Sequence, residues 1–388
     1  MLIGIIGAPN KGKSTLFSAL TMHDVAIADY PFTTIDPNKG IAYATDKCPH
    51  VELGVGCKAR NSLCVNGIRQ IPVNVMDVAG LVEGAHLGKG MGNKFLNDLA
   101  SADALVIVAD ASGKTDAAGN PTSSHDPVED VEMVRDELAE WLSDIIRRHM
   151  KAISKQSDGI SALAEVLTGL KIGKDTIAAA VAKNELSSSR VEWDDEGVAK
   201  FSATILEYAK PWIVVANKMD SPGSESGASS LERKYGKERV FRMSSAVELA
   251  LEKAERSGMI KWAGERDFSI VGNASAEQKR ALDYMRSYLA GHGMASRALI
   301  NRVVFELLGN IVVYPVEDEH KYSDSMGNVL PDAILLHKGA TAQDLAAVIH
   351  TEIADKMLYA IDARKKMRMA KDHRLQDGDI VKIVSAAR

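Results

Sequence analysis

Eight residues near the N-terminus have the types and spacing needed to hold a chain of phosphates. Gly7-Ala8-Pro9-Asn10-Lys11-Gly12-Lys13-Ser14 fits G-x-x-x-x-G-K-[ST], the P-loop pattern. Glycines let backbone N–H groups turn inward onto phosphate oxygens, and a helix beginning here adds the positive end of its dipole. Lys13 is placed to put charge on the β- and γ-phosphates, and the Ser14 hydroxyl to ligate Mg²⁺. Asn10, Lys11, Gly12 and Thr15 complete the expected cradle. A chance glycine turn is the alternative. Against it, an apolar run (Leu2 to Ile6) precedes the motif and a helical stretch (Ser14 to Met22) follows it.

Further along, Asp77-Val78-Ala79-Gly80 closes the apolar run Ile71 to Met76. A carboxylate at the end of a buried strand beside a phosphate loop suits a magnesium ion held at one remove, and the Gly80 N–H could sense a γ-phosphate. Asn217-Lys218-Met219-Asp220 follows the run Trp212 to Ala216. Asp220 can accept from guanine N1–H and N2–H₂. Adenine lacks that donor pair and would leave the carboxylate unpaired, at a cost of ~1–3 kcal/mol. Asn217 and Lys218 would brace the loop and cover the base. Ser244-Ser245-Ala246, after Val240 to Met243, could set a backbone N–H on guanine O6. The order of these motifs points to a GTP- and GDP-binding protein.

These motifs need a scaffold. Strand-like runs alternate with helical stretches, which implies an α/β domain with a mostly parallel sheet covered on both faces. The alternation stops between about Thr115 and Lys210. There Asp126 reads as an N-cap and Pro127 as a first-turn residue, ahead of Val131, Val134, Leu138, Leu142 and Ile146 at helical spacing. We expect a discontinuous P-loop domain at 1–114 and 208–309, an inserted α-helical domain at 115–207, and a small α+β unit at 310–388 with one helix over Ala342 to Lys356. The stretch Val247 to Leu308 reads as largely helical. The chain of 388 residues carries a formal net charge of −5 and is no polycation, so any nucleic-acid contact needs a local patch. Sparse cysteines, no signal peptide and no apolar run of membrane-spanning length lead us to expect a cytoplasmic protein without membrane association.

With Ala28 to Asn38 between the first two, these motifs resemble the Obg family of GTPases. The run Asp77 to His86, followed by Gly90-Met91-Gly92-Asn93-Lys94-Phe95-Leu96, looks like its YchF-like branch. Leu330-Pro331, Gly339 to Ala346 and Leu375 to Val381 resemble a TGS domain, a ubiquitin-like β-grasp module. The resemblance implies that Thr34 is the switch threonine on Mg²⁺; unassisted GTP hydrolysis is expected to be slow. Leu81 stands where Ras-like enzymes carry a water-orienting Gln. His86, five residues on, is our candidate for that task, against a plain solvated loop residue. In related GTPases an Asn at the Asn10 position coordinates K⁺; the alternative is that Asn10 only shapes the loop. ATP-preferring YchF proteins replace the final Asp of N-K-x-D by Glu, so the intact Asp220 favours GTP.

Two features fall outside the nucleotide motifs. Cys48, His50, Cys57 and Cys64 could hold Zn²⁺ tetrahedrally, but their spacing matches no C-x₂-C knuckle, and free thiols also pack as small hydrophobes. Arg364, Lys365, Lys366, Arg368, Lys371 and Arg374 form a basic segment. It reads either as a phosphate-backbone contact on RNA or as a solvated loop or helix face. The TGS resemblance favours a ribosome or RNA partner. A monomeric GTP hydrolase acting as a ribosome-linked switch is the leading expectation. A nucleotide-dependent RNA-binding module with negligible turnover, or an ATPase, is the alternative.

Overall fold

A computed structural model of the chain describes residues 1–21, 38–78, 80–84, 99–188, 191–264 and 266–386. These divide into two compact units. The first holds the described residues up to 21, 38–40 and 74–296; the second holds 41–73 and 297–386.

In the first unit β1 (Leu2–Ile6) runs into the phosphate loop and then α1 (Lys13–Thr21). Strand β2 (Lys39–Lys47) leaves this unit, β3 (Leu63–Val65) belongs to the second, and β4 (Ile68–Asp77) re-enters the first at Asn74. Strands β5 (Ala104–Asp110), β6 (Trp212–Asn217) and β7 (Val240–Arg242) complete a sheet whose order here is β4-β1-β5-β6-β7, every pairing parallel. All residues of β5 and β6 are buried, as expected for parallel strands covered on both faces. The P-loop, Asp77, Asp110 and Asn217 therefore end up together at the carboxyl ends of adjacent strands, where open α/β sheets bind ligands.

The excursion between β5 and β6 is helical. A helix α2 (Pro127–Ile153) starts where sequence expects: the Asp126 carboxylate accepts from Val128 N at 3.0 Å, with Pro127 in the first turn. Its apolar face, Val131 to Ile153, joins the core of the sheet. Helices α3 (Gly159–Leu167), α4 (Lys174–Lys183) and α5 (Asp195–Ala209) pack alongside. After β6 come α6 (Ser224–Tyr235) and α7 (Ser245–Arg256). The block expected to be largely helical contains a short hairpin, β8 (Ile260–Trp262) with β9 (Phe268–Ile270), before α8 (Ala276–His292). Phe268 is buried against this core. Three-residue strands give too little periodicity to register in sequence.

The second unit is built around a five-stranded sheet of order β11-β10-β14-β12-β13. Its strands are β10 (Asn310–Val316), β11 (Ile334–His337), β12 (Met357–Asp362), β13 (Met367–Met369) and β14 (Ile380–Ser385). The β10–β14 pair is parallel and the others antiparallel, and helix α9 (Ala342–Ile349) supplies Leu345 and Ala346 to the core, giving a β-grasp arrangement. The single helix expected over 342–356 is two. His350 is extended (φ −167°, ψ 135°) and its Nδ1 accepts from Glu352 N at 3.2 Å, capping α10 (Thr351–Asp355). No helix among the described residues is long and apolar enough to cross a membrane.

Candidate nucleotide-binding site

At the phosphate end, helix α1 presents first-turn amides that no carbonyl within the helix can satisfy. Lys13 is buried, and its Nζ donates to Ala8 O at 2.8 Å, curling over the loop. A Cβ on Gly80 would lie 3.3 Å from that nitrogen, so Gly80 sits directly against the lysine. Burial holds the Lys13 ammonium below the ordinary lysine range, with Asp77 pulling the other way. Bound phosphate would relieve that penalty. Ser14 Oγ donates to Asp77 Oδ2 at 2.6 Å. Asp77 Oδ1 is buried and has no hydrogen-bond partner, which a buried carboxylate oxygen tolerates poorly. A hydroxyl beside a carboxylate with a spare oxygen is a donor set that fits Mg²⁺: Ser14 would be a direct ligand and Asp77 would hold a metal-bound water.

Leu81 is almost fully buried in the sheet core, and its N–H donates to Gly7 O at 3.1 Å. That aliphatic side chain cannot orient water. The next fixed point is Gly84, whose N–H donates to Glu137 Oε1 of α2 at 2.5 Å. Thr34 and His86 lie outside the described residues.

The base end is tied to the phosphate end by Asn217. Its Nδ2 donates to Lys11 O at 2.8 Å and its Oδ1 accepts from Ser245 N at 3.0 Å. One side chain thereby sets the distance between P-loop and base loop. Gly12, at φ +94°, is required there: a Cβ would come within 2.3 Å of Asn217 Nδ2. Ser244 has two tasks. It caps α7 by accepting from Val247 N at 3.2 Å, and it donates to Asp220 Oδ1 at 2.5 Å. The carboxylate is thus held in one orientation, with Oδ2 left for a ligand. Ala246, next in line, is exposed. The aliphatic stem of Lys218 is half-buried and its Nζ bonds Asp110 Oδ2 at 2.8 Å.

Several supporting residues escaped the sequence reading. Asp110 ends β5 fully buried and accepts from Ser112, Thr115 and Lys218. Burial works to raise its carboxyl, yet these donors keep it below the usual range. A charge closing a seven-residue apolar strand was the available signal. Tyr284, on α8, donates to Asp220 O at 2.8 Å, a contact 64 residues away in sequence with no local mark. Lys11 contributes differently from expectation. Its backbone joins the cradle through Asn217, while its side chain is fully buried, 2.9 Å from the equally buried Asp130 and 2.8 Å from Thr115 O. Asp130 also meets His125 Nε2 at 2.8 Å. Asn10 Nδ2 donates to Gly119 O at 2.9 Å, and a Cβ on Gly119 would strike Pro9. The P-loop is therefore clamped from above by residues 113–125, the lead-in to the helical excursion. Met367–Met369 pairs with β12, so Arg364, Lys365 and Lys366 lie in the turn of a β-hairpin, Arg368 on its second strand, and Lys371 and Arg374 beyond that strand. Arg364 pairs with Glu52, Lys365 with Asp362, and Lys366 with Glu319 O and the Tyr322 ring. Arg368 lies over Tyr359, and Lys371 and Arg374 are exposed.

Comparison with known proteins agrees with this geometry. Family models match at residues 2–155 (50S ribosome-binding GTPase), 215–318 (Obg-like GTPase YGR210-like, G4 motif-containing domain) and 326–385 (TGS domain). An uncharacterised GTP-binding protein of Methanocaldococcus jannaschii is 48% identical, with both chains covered in full. The chain belongs to the Obg family of P-loop GTPases. Within it the chain is a YchF-like, TGS-bearing GTP-binding protein. A crystal structure of a GTP-binding protein from Pyrococcus horikoshii, 36% identical, superposes over both full lengths with a TM-score of 0.78. The ribosome-binding ATPase YchF of Bacillus subtilis is 27% identical, with 97% of each chain covered.

Proposed function

We propose that this GTP-binding protein hydrolyses GTP to GDP and phosphate as a slow, Mg²⁺-dependent switch that acts on the ribosome or its RNA. The observation that carries the reading is the pairing of Ser14 with Asp77 beside the buried Lys13, since a hydroxyl, a half-satisfied carboxylate and an ammonium suit a magnesium-bound triphosphate. The bound ion would neutralise charge developing between the β- and γ-phosphates. Lys13 holds the same oxygens, and Gly80 is close enough to sense the γ-phosphate. Thr34 completes the metal site in this proposal and lets go once the γ-phosphate leaves. Asp220, aimed by Ser244, selects guanine over adenine, which weighs against an ATPase.

With Leu81 packed away, the attacking water must be ordered by another group, for which we propose His86, or by a partner. Turnover without that partner is therefore slow, roughly 10⁻⁴ to 10⁻² s⁻¹. Asn10 Oδ1 makes no hydrogen bond among the described residues and remains our candidate for K⁺. The ribosomal partner is supported by the description of the matching family model and by the printed name of the Bacillus subtilis relative. Arg368, Lys371 and Arg374 are the cations best placed to meet RNA. Phosphate release under single-turnover conditions, with and without ribosomes, tests the proposal. Stimulation by ribosomes supports the switch. Tight GTP binding with no release in either condition would replace it by the pure binding module. His86→Ala slowing release less than threefold removes His86 from the account.

A further inference from the structure

A cluster of soft ligands lies in the second unit. Cys48 follows β2, His50 opens a helical turn (His50–Leu53), Cys57 sits in the loop beyond it, and Cys64 is on β3. Sequence spacing left them ambiguous, but the fold draws them together. One ligand atom from each, three sulfurs and one imidazole nitrogen, lies within 4.8 Å of the other three. Cys64 Sγ is 3.6 Å from His50 Nδ1. A tetrahedral Zn²⁺ with Zn–S about 2.3 Å and Zn–N about 2.0–2.1 Å has ligand–ligand edges of about 3.5–3.8 Å. The four atoms would need to close by only about 1 Å at most.

Neither simple packing nor a disulfide accounts for as much. Hydrophobic packing suits the buried Cys48, but leaves open why two half-exposed thiols and a half-exposed imidazole converge on it. A disulfide would use two sulfurs and strand the third with the histidine, and all three cysteines are free. The segment also has little regular structure of its own. Residues 54–62 contain neither helix nor strand, yet they run along the C-terminal module through Lys58 N to Val329 O (2.9 Å) and Arg60 N to Pro331 O (2.7 Å). Cys48, Cys57 and Cys64 share a core with Val312, Tyr314 and Ile380 of that module. Three thiolates and Zn²⁺ would carry one net negative charge. The fully buried Arg69 guanidinium, bonded to Ser62 Oγ and Leu330 O and lying 5.4 Å from the Tyr314 ring of the same core, supplies an offsetting positive charge.

We propose that Cys48, His50, Cys57 and Cys64 bind one structural Zn²⁺, which closes the 48–64 segment on itself where it packs against the β-grasp module. Three thiolates and an imidazole select zinc over magnesium, calcium or manganese. The test uses the full-length protein purified under reducing conditions without added metal. Elemental analysis should find about one zinc per chain. A mercurial reagent should release that zinc, read by a chromophoric chelator, as the thiols are titrated. Exchange with Co²⁺ should give the thiolate charge-transfer band and the intense d–d bands of a tetrahedral site. Cys57→Ser and Cys64→Ser, on the accessible side, should each weaken metal binding at least tenfold. Should those variants misfold, the cobalt spectrum of the unaltered protein still decides. A metal-free protein with three reactive thiols and no cobalt–thiolate band would overturn the proposal, as would an intramolecular disulfide found by mass spectrometry of the unreduced chain.

Discussion

Replacing Asp220 by Asn removes one acceptor from the base pocket while leaving the shape nearly unchanged. The structure fixes which one. Ser244 Oγ donates to Asp220 Oδ1, so the amide oxygen of Asp220→Asn takes that place and its NH₂ occupies the Oδ2 position. Guanine presents N1–H and N2–H₂, both donors, so the amide now faces a donor with a donor. The loss is one hydrogen bond to a charged group, plus whatever the opposed donors add. That amounts to about 2–4 kcal/mol, or about 30- to 700-fold in the dissociation constant for GDP. Xanthine carries a carbonyl in place of the 2-amino group and should regain the lost bond. Displacement of a fluorescent GDP analogue by GDP and by XDP measures both effects. A change of less than threefold for GDP, or no gain for XDP, would refute the idea that Asp220 contacts the base through an oxygen oriented by Ser244.

Four further expectations follow from the same geometry. Asp77→Asn should weaken Mg²⁺ binding in the nucleotide complex about 10- to 100-fold, measured by Mg²⁺ titration of GDP release. Gly12→Ala should push Asn217 off Lys11 O and Ser245 N; filter binding should show about a 5- to 140-fold loss of GDP affinity, given ~1–3 kcal/mol of backbone strain. Lys13 titrates below the ordinary lysine range when free, and phosphate must raise it. Binding then takes up a proton in the window between the two values, and GDP affinity falls as pH rises through the lowered one, by at most about tenfold per pH unit; a flat calorimetric profile up to about pH 10 would contradict this. Asp130→Asn leaves the buried Lys11 ammonium without a counter-ion, costing ~3–5 kcal/mol in urea unfolding, whereas Lys11→Met with Asp130→Leu should cost less.

Much of the nucleotide site was legible because its chemistry is local. A phosphate loop needs glycines and a lysine at fixed offsets, and the runs Leu2–Ile6 and Trp212–Asn217 are strands because nothing polar interrupts them before their ends. Leu81 could be excluded as a water ligand from its side chain alone, and its burial gives the same answer. What sequence could not supply were contacts made across long separations. Tyr284 under Asp220, Asn217 between Lys11 and Ser245, and Gly119 on Asn10 depend on which strand ends are neighbours. Short elements were also lost: β13, three residues inside a basic run, carries no periodicity, so the segment read as loop or helix. The His50 and cysteine cluster shows the same limit from the other side. Its spacing fits no familiar knuckle, because a turn and a strand rather than the spacing bring the ligands together.

The central claim is that the P-loop and the Asn217–Asp220 loop form one pocket for a guanine nucleotide. The most direct measurement is an equilibrium competition in Mg²⁺, with GTP and ATP each displacing the fluorescent GDP analogue. If Asp220 is aimed at the base, GTP should displace it at a concentration at least about 100-fold below that needed for ATP. Equal potency, or a preference for ATP, would contradict the account.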